Sequence, residues 1–371
     1  MGLIGEKIKP LTSGQKRLVR VLKDKNVSLV GVFGPTGTGK SMLTLAYAID
    51  AVRKGDYKRI VIAKPVIDVE TGKEILMSEL GEQYKDIIIS YMRDLVETYM
   101  KHGEIEEMVG RGEIEIADTH YLRGRSFDNS IVFVDDIQNI PVESSLEIMS
   151  RVGRESKLIM AGDPVFQSGS QAENALRLRE LLLGEEDAEV VDLGLQDIVR
   201  PGAKRAVRLL LELRMRKREM TEDEKHVANV VKRYSPDAEI VTVVDCRVEK
   251  HTFQIPDNTP TPDFLIVVKE GHQGRLVGRG GERITKAEKE LSAKLRGVEA
   301  SLNLVNYIKS IHPVPWSIKH IKKADIEGNS IVIYIEPGKA GPLLGRKGVY
   351  IKYVEAIMMK LLGTPVIARE E

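Results

Sequence analysis

The octapeptide Gly34-Pro-Thr-Gly-Thr-Gly-Lys40-Ser41 constrains this chain more than any other feature. It fits the phosphate-loop pattern G-x-x-x-x-G-K-[ST]. It follows the apolar run VSLVGVF and opens the helix-like run SMLTLAYAIDAV, the strand–loop–helix order that the mechanism requires. Glycines let backbone N–H groups curl around phosphate oxygens, and a helix N-terminus adds favourable partial charge. Gly34, Pro35, Thr36, Gly37, Thr38, Gly39, Lys40, Ser41 and Met42 are therefore expected to bind a nucleoside triphosphate. Lys40 would reach the β- and γ-phosphates, and the Ser41 hydroxyl would bind Mg2+.

The flanking sequence supplies the rest of such a domain. RIVIAKPV, EIEIAD, SIVFVDD, KLIMAGD and AEVVDLG read as further strands, and 41–53, 79–101, 142–152 and 171–183 as helices. Near-continuous Val/Ile runs indicate strands covered on both faces, so the expected fold is α/β with a mostly parallel sheet. Ser130–Asp136 is an apolar strand ending in two carboxylates. Asp135 suits the Mg2+ shell, and Asp136 suits the polarisation of an attacking water. After KLIMAGD, Gln167 would sense the γ-phosphate or position water, or the turn would simply be capped by Asp163. Arg200, in DIVRP, would neutralise transition-state charge, in cis or from a neighbouring subunit.

Charge divides the chain. Residues 1–200 hold 26 Lys+Arg against 33 Asp+Glu, a net −7, whereas residues 201–371 hold 30 against 22, a net +8. A basic rear half is suited to a polyanion. Residues 202–233 read as helical and basic, and as an amphipathic connector or a contributor to nucleic-acid binding. Beyond them lies a repeat. GHQGRLVGRGGERI (Gly271 to Ile284) aligns with GKAGPLLGRKGVYI (Gly338 to Ile351), with seven of fourteen positions identical. Random matching would give about one. An apolar strand precedes each copy and a helix-like run follows it, so two copies of one small module are expected.

The co-linear series GPTGTGKS, Lys64-Pro65, IADTHYLRGRSF, VDDIQN, GDPVFQ and VRP resembles the PhoH family, phosphate-loop ATPases related to superfamily 1 helicases. The resemblance covers about residues 10–205 and implies a RecA-like core. Gln15, in LTSGQ, matches the upstream glutamine motif that recognises adenine. Tyr121, Arg123, Gly124 and Arg125 match the family's RGR segment, and Gln138 follows the acidic pair as in the family. Two departures stand out. The family usually has Asp-Glu where this chain has Asp135-Asp136, and the shorter Asp136 pulls the base back, which implies slow or water-bridged turnover. The segment DVETGKEILMSELGEQYKD also lacks the family's usual proline- and glycine-bearing form.

The repeated module is similar to the KH domain, in the tandem arrangement of the transcription factor NusA and its archaeal relatives. Its G-x-x-G signature stands at Gly278-Arg279-Gly280-Gly281 and at Gly345-Arg346-Lys347-Gly348. In such a module the loop between two helices approaches the sugar-phosphate chain, and a neighbouring groove takes about four unstacked nucleotides. Strands before the helix pair indicate the prokaryotic-type (type II) arrangement.

These resemblances divide the chain into a PhoH-like ATPase domain (1–205), a basic helical connector (206–237) and two α+β KH modules (238–310 and 311–371). They imply ATP and Mg2+ as ligands and single-stranded RNA as partner. Two readings follow: an RNA helicase or ribonucleoprotein remodeller, or a nucleotide-gated RNA-binding switch with slow turnover and no unwinding. One phosphate loop per chain means that a motor needs an oligomer, and PhoH-like relatives suggest a ring, taken here as hexameric. A ribonuclease is disfavoured, because no acidic cluster precedes the core. The one cysteine, Cys246, leaves no intramolecular disulfide, and the seven histidines lack metal-ligand spacing. No apolar run reaches the ~20 residues of a membrane span, and no signal-peptide core opens the chain. A cytoplasmic protein is expected. Met358 and Met359 are expected to pack the last helix.

Overall fold

A computed structural model describes residues 2–68, 70–118, 126–166 and 170–371. It divides into two compact units, Met1–Lys204 and Arg205–Glu371.

The first unit is built on six parallel strands: β1 (Leu29–Phe33), β2 (Arg59–Ala63), β5 (Ile114–Ala117), β6 (Ser130–Val134), β7 (Lys157–Gly162) and β8 (Ala188–Asp192). Their order is β5-β2-β6-β7-β1-β8. A two-residue pair, β3 (Val66–Ile67) with β4 (Glu74–Ile75), stands apart from this sheet. Side chains alternate between sheet faces with period two. Val30, Val32, Ile60, Ile62, Ile131, Phe133 and Ile159 thus enter one core with Leu43, Leu45 and Ile49 of the helix Lys40–Arg53. Val61, Val132, Val134, Leu158 and Met160 enter the other, with Leu178 and Leu182. Both faces are covered, as the Val/Ile runs require. The carboxyl ends of β1, β2, β6 and β7 lie at one edge of the sheet, and they deliver Gly34, Lys64, Asp135 and Asp163 there.

The helix expected over 79–101 is interrupted. Gly81, at φ 58° and ψ −129°, separates Met77–Leu80 from Glu82–Val96, and a 3-10 turn, Glu97–Tyr99, ends the run. Such a φ suits glycine and halts helical hydrogen bonding.

The second unit carries two mixed sheets. In the first, β9 (Ile240–Asp245) pairs antiparallel with β10 (Phe264–Val268), which pairs parallel with β11 (Leu295–Glu299). In the second, β12 (Ile321–Glu327) is antiparallel to β13 (Ser330–Ile335), which is parallel to β14 (Val366–Glu370). Each sheet has the same helix pair inserted before its last strand: Gln273–Val277 with Glu282–Leu291, then Ala340–Leu344 with Val349–Leu362. Two strands precede each pair, as expected. Of the adjacent methionines, Met358 is buried and Met359 is 45% exposed. Neighbouring positions on a helix point about 100° apart, so one packs and the other does not.

The basic stretch 202–233 is two helices, Pro201–Arg216 and Glu222–Tyr234, not one. The break is set locally by a capping box: the Thr221 hydroxyl accepts from the Glu224 amide, and the Glu224 carboxylate accepts from the Thr221 amide at 2.8 Å. Val227, Val230 and Val231 then pack against Val243, Phe264 and Ile266, so this half of the connector belongs to the core of the first module. Thr221→Ala removes one of the two cap bonds, worth about 1 kcal/mol. Hydrogen exchange on the full chain is expected to be about fivefold faster along Glu222–Tyr234; unchanged protection there would show that the cap is idle.

Candidate nucleotide site and nucleic-acid interface

The loop after β1 is shaped by close approach. A Cβ at Gly34 would meet the Leu193 carbonyl oxygen at 2.2 Å, and one at Gly37 would meet the Ala203 Cβ at 2.3 Å. Neither position admits a side chain. The Val199 amide donates to the Gly37 carbonyl at 3.1 Å, and the Thr38 hydroxyl to the Pro35 carbonyl at 2.8 Å. Gly39, at φ 87°, turns the chain into the helix that begins at Lys40. The Lys40 ammonium folds back onto the loop and donates to the carbonyls of Gly34 (2.6 Å) and Pro35 (3.0 Å). Burial pulls its pKa below the ordinary lysine value, partly offset by Asp163 and Asp135.

Around this loop lies a cleft of about 350 Å3 that takes in Thr36, Gly37, Gly39, Lys40, Ser41, Met42, Asp135, Asp136, Asp163 and Arg200. Most of the residues expected from sequence therefore meet at one place, and Arg200 reaches the cleft of its own chain. Gln15 does not open onto it. It is 2% exposed, and its side-chain amide donates to the Thr38 carbonyl (2.9 Å) and accepts from the Leu11 amide (2.7 Å), so it braces the loop from behind. Gln167, Tyr121, Arg123, Gly124 and Arg125 lie outside the described residues.

The acidic strand end is organised by neighbours that sequence reading missed. Asp136 sits at φ 54° and ψ 41°, a left-handed conformation that Asp tolerates better than most residues. Its carboxylate is held by Lys64 and accepts from the Gln138 side-chain Nε2 at 3.1 Å. Gln138 also accepts from the Asp163 amide at 3.1 Å, which ties the ends of β6 and β7 together. Asp163 itself accepts from the amides of Val165 and Phe166, so it caps its turn. Tyr91, on the helix Glu82–Val96, donates its phenol proton to Asp135. Burial, reinforced by Asp135, holds that phenol well above the usual tyrosine pKa. The Lys64 ammonium lies 4.7 Å from the centre of the Tyr91 ring. Lys64 was legible only as half of the Lys64-Pro65 pair, and no local pattern marks Tyr91.

Ser41 and Asp135 offer hard oxygen donors on the same cleft. A hydroxyl plus one carboxylate, beside a cleft for phosphates, fits Mg2+, which usually takes few protein ligands and completes its shell with water and phosphate. Among the described residues no group of three or more His, Cys, Asp or Glu forms a metal cage.

In the second unit the two repeated loops adopt one conformation. Gly278 (φ 77°, ψ 175°) matches Gly345 (71°, 171°), Gly280 (62°, 17°) matches Lys347 (56°, 25°), and Gly281 (84°, 7°) matches Gly348 (74°, 19°). A Cβ on Gly278 would strike the Arg283 side chain, and one on Gly345 the Tyr350 ring, each at 2.6 Å. Behind the loops the same carbonyl is braced twice: the Ser235 hydroxyl donates to Leu276 O and the His312 Nε2 to Leu343 O, both at 2.9 Å. Arg279, Arg346 and Lys347 are exposed. The result is a cationic tip on each module.

A glycine loop joining a parallel strand to a helix N-terminus, with acids delivered by adjacent strand ends, defines a phosphate-loop nucleotide-binding domain of the NTPase class. The chain belongs to the PhoH-like protein family, whose model matches residues 7–212, and residues 238–311 match the KH domain. A PhoH-like protein of Bacillus subtilis is 30% identical over 53% of this chain and 61% of its own length. One from Mycobacterium leprae is 29% identical over 53% and 56%. The chain thus spans little more than half of the curated relatives it matches. Among solved structures, the large terminase of the thermophilic bacteriophage D6E aligns with 56% of this chain and 51% of its own, at 13% identity and a TM-score of 0.37, too loose a likeness to bear on function. Among the described residues no helix is long and apolar enough to cross a membrane.

Proposed function

We propose that this protein hydrolyses ATP and uses that reaction to move, release or remodel single-stranded RNA held by a tandem pair of KH modules. The observation that carries the reading is the convergence of Lys40, Ser41, Asp135, Asp136 and Arg200 on one cleft, in a chain that also bears two superposable G-x-x-G loops. The phosphate loop, from Gly34 to Met42, cradles the triphosphate, and Lys40 exchanges its loop carbonyls for β- and γ-phosphate oxygens. Ser41 and, through water, Asp135 would hold Mg2+, which when bound offsets phosphate charge. Asp136, held between Lys64 and Gln138, orients the hydrolytic water, and its short side chain favours slow turnover. Gln167 reads the γ-phosphate, and Arg200 stabilises developing charge.

The second module, 311–371, serves as a KH domain because its strand order and loop repeat those of the first, in the manner of NusA. With one phosphate loop in the chain, directed movement would need further copies, and a hexameric ring supplies them. The test is ATP turnover with and without single-stranded RNA, run beside displacement of a labelled strand. Turnover stimulated severalfold by RNA, with displacement, is the expected result. Turnover indifferent to RNA and no displacement would instead favour a nucleotide-gated RNA-binding switch.

A further inference from the structure

The helix Glu82–Val96 directs one face at the nucleotide cleft. Tyr84 and Tyr91, two turns apart, lie on the same side of it. The Tyr84 hydroxyl donates to the Lys64 carbonyl at 2.9 Å, and this fixes the residue that pairs with Asp136. Tyr91 goes further, because its phenol donates to the Asp135 carboxylate. That carboxylate and the Ser41 hydroxyl are the protein groups on the cleft that suit the divalent cation. A cation that engages Asp135 must first displace the phenol, and with it the ring that lies against the Lys64 ammonium.

We propose that Tyr91 is a built-in competitor of the divalent cation, a positioning residue that sets how much Mg2+ the cleft needs before it accepts a nucleotide. The proposal rests on the nucleotide reading of the cleft. It gives the helix Glu82–Val96, which begins at the end of the segment where this chain departs from its family's usual sequence, a stated task. Loading of the cation is coupled to release of that helix's Tyr91 from the site.

The test is a Mg2+ titration of the full chain with a fluorescent, non-hydrolysable ATP analogue. In Tyr91→Phe the half-saturating Mg2+ concentration should fall by about tenfold, the worth of a hydrogen bond to a charged acceptor. Affinity for the analogue in EDTA should stay within about twofold of the unaltered protein, because the phosphate loop keeps its own bonds. Tyr91→Leu, which also removes the ring beneath Lys64, should shift the Mg2+ requirement in the same direction. An unchanged or raised requirement in both variants, with Mg2+-dependent binding intact in the unaltered protein, overturns the competitor role alone. Absence of Mg2+-dependent binding by the unaltered protein overturns the nucleotide reading as well.

Discussion

Lys40→Ala is expected to abolish ATP turnover, by roughly a hundred- to a thousandfold, the cost of removing one preorganised donor from a phosphoryl-transfer site. The ammonium is half-buried at the mouth of the loop and is spent on the carbonyls of Gly34 and Pro35, at 2.6 and 3.0 Å, until phosphate oxygens offer better acceptors. A partly desolvated cation beside Asp135 and Asp163 interacts with added phosphate charge more strongly than one in open water. The loop itself should survive. Its glycines are fixed by contacts with Leu193 and Ala203 and by the Val199 amide, none of which involves the lysine. Phosphate release measures the loss, and filter binding of a labelled oligonucleotide should show unaltered RNA affinity. Residual turnover within tenfold of the unaltered protein would remove Lys40 from the reaction.

The complementary variant carries Arg279→Asp, Gly280→Asp, Arg346→Asp and Lys347→Asp together. It replaces three exposed cations and a glycine with four anions at the tips of the two modules. Affinity for single-stranded RNA should fall by at least about a hundredfold, since like charge meets the phosphate chain where counterion release drove binding. Gly280 (φ 62°) and Lys347 (φ 56°) occupy the left-handed region. Asp is among the few side chains that enter it readily, so the loops should keep their shape. Fluorescence anisotropy with a short oligonucleotide reads the affinity, and RNA-free ATP turnover is expected to be retained. If the variant binds RNA as before, the loops are not the contact surface.

The features that could be read from sequence share one property: the chemistry they need is contiguous. Gly34 to Ser41 must be neighbours in the chain to wrap a phosphate, Asp135 and Asp136 must end a buried strand, and G-x-x-G must join two helices. The repeat was visible because both copies use the same glycines for the same left-handed turns. Gln15 was legible as part of the family's pattern, yet its amide is consumed by Thr38 and Leu11, a bonding choice that sequence does not encode.

What the chain alone determined, then, is which local devices exist: a phosphate-binding turn, an acidic strand end and two cationic glycine loops. Only the tertiary structure decided how the first two are wired. It brings Lys64 onto Asp136 and sets the Tyr91 phenol against Asp135, across 44 residues of sequence from the carboxylate it bonds. The physical reason is that a helix announces which of its faces is apolar, but not which strand ends that face will meet. That pairing follows from how the helix Glu82–Val96 packs beside the helix Lys40–Arg53 over the sheet, and packing is a property of the whole core.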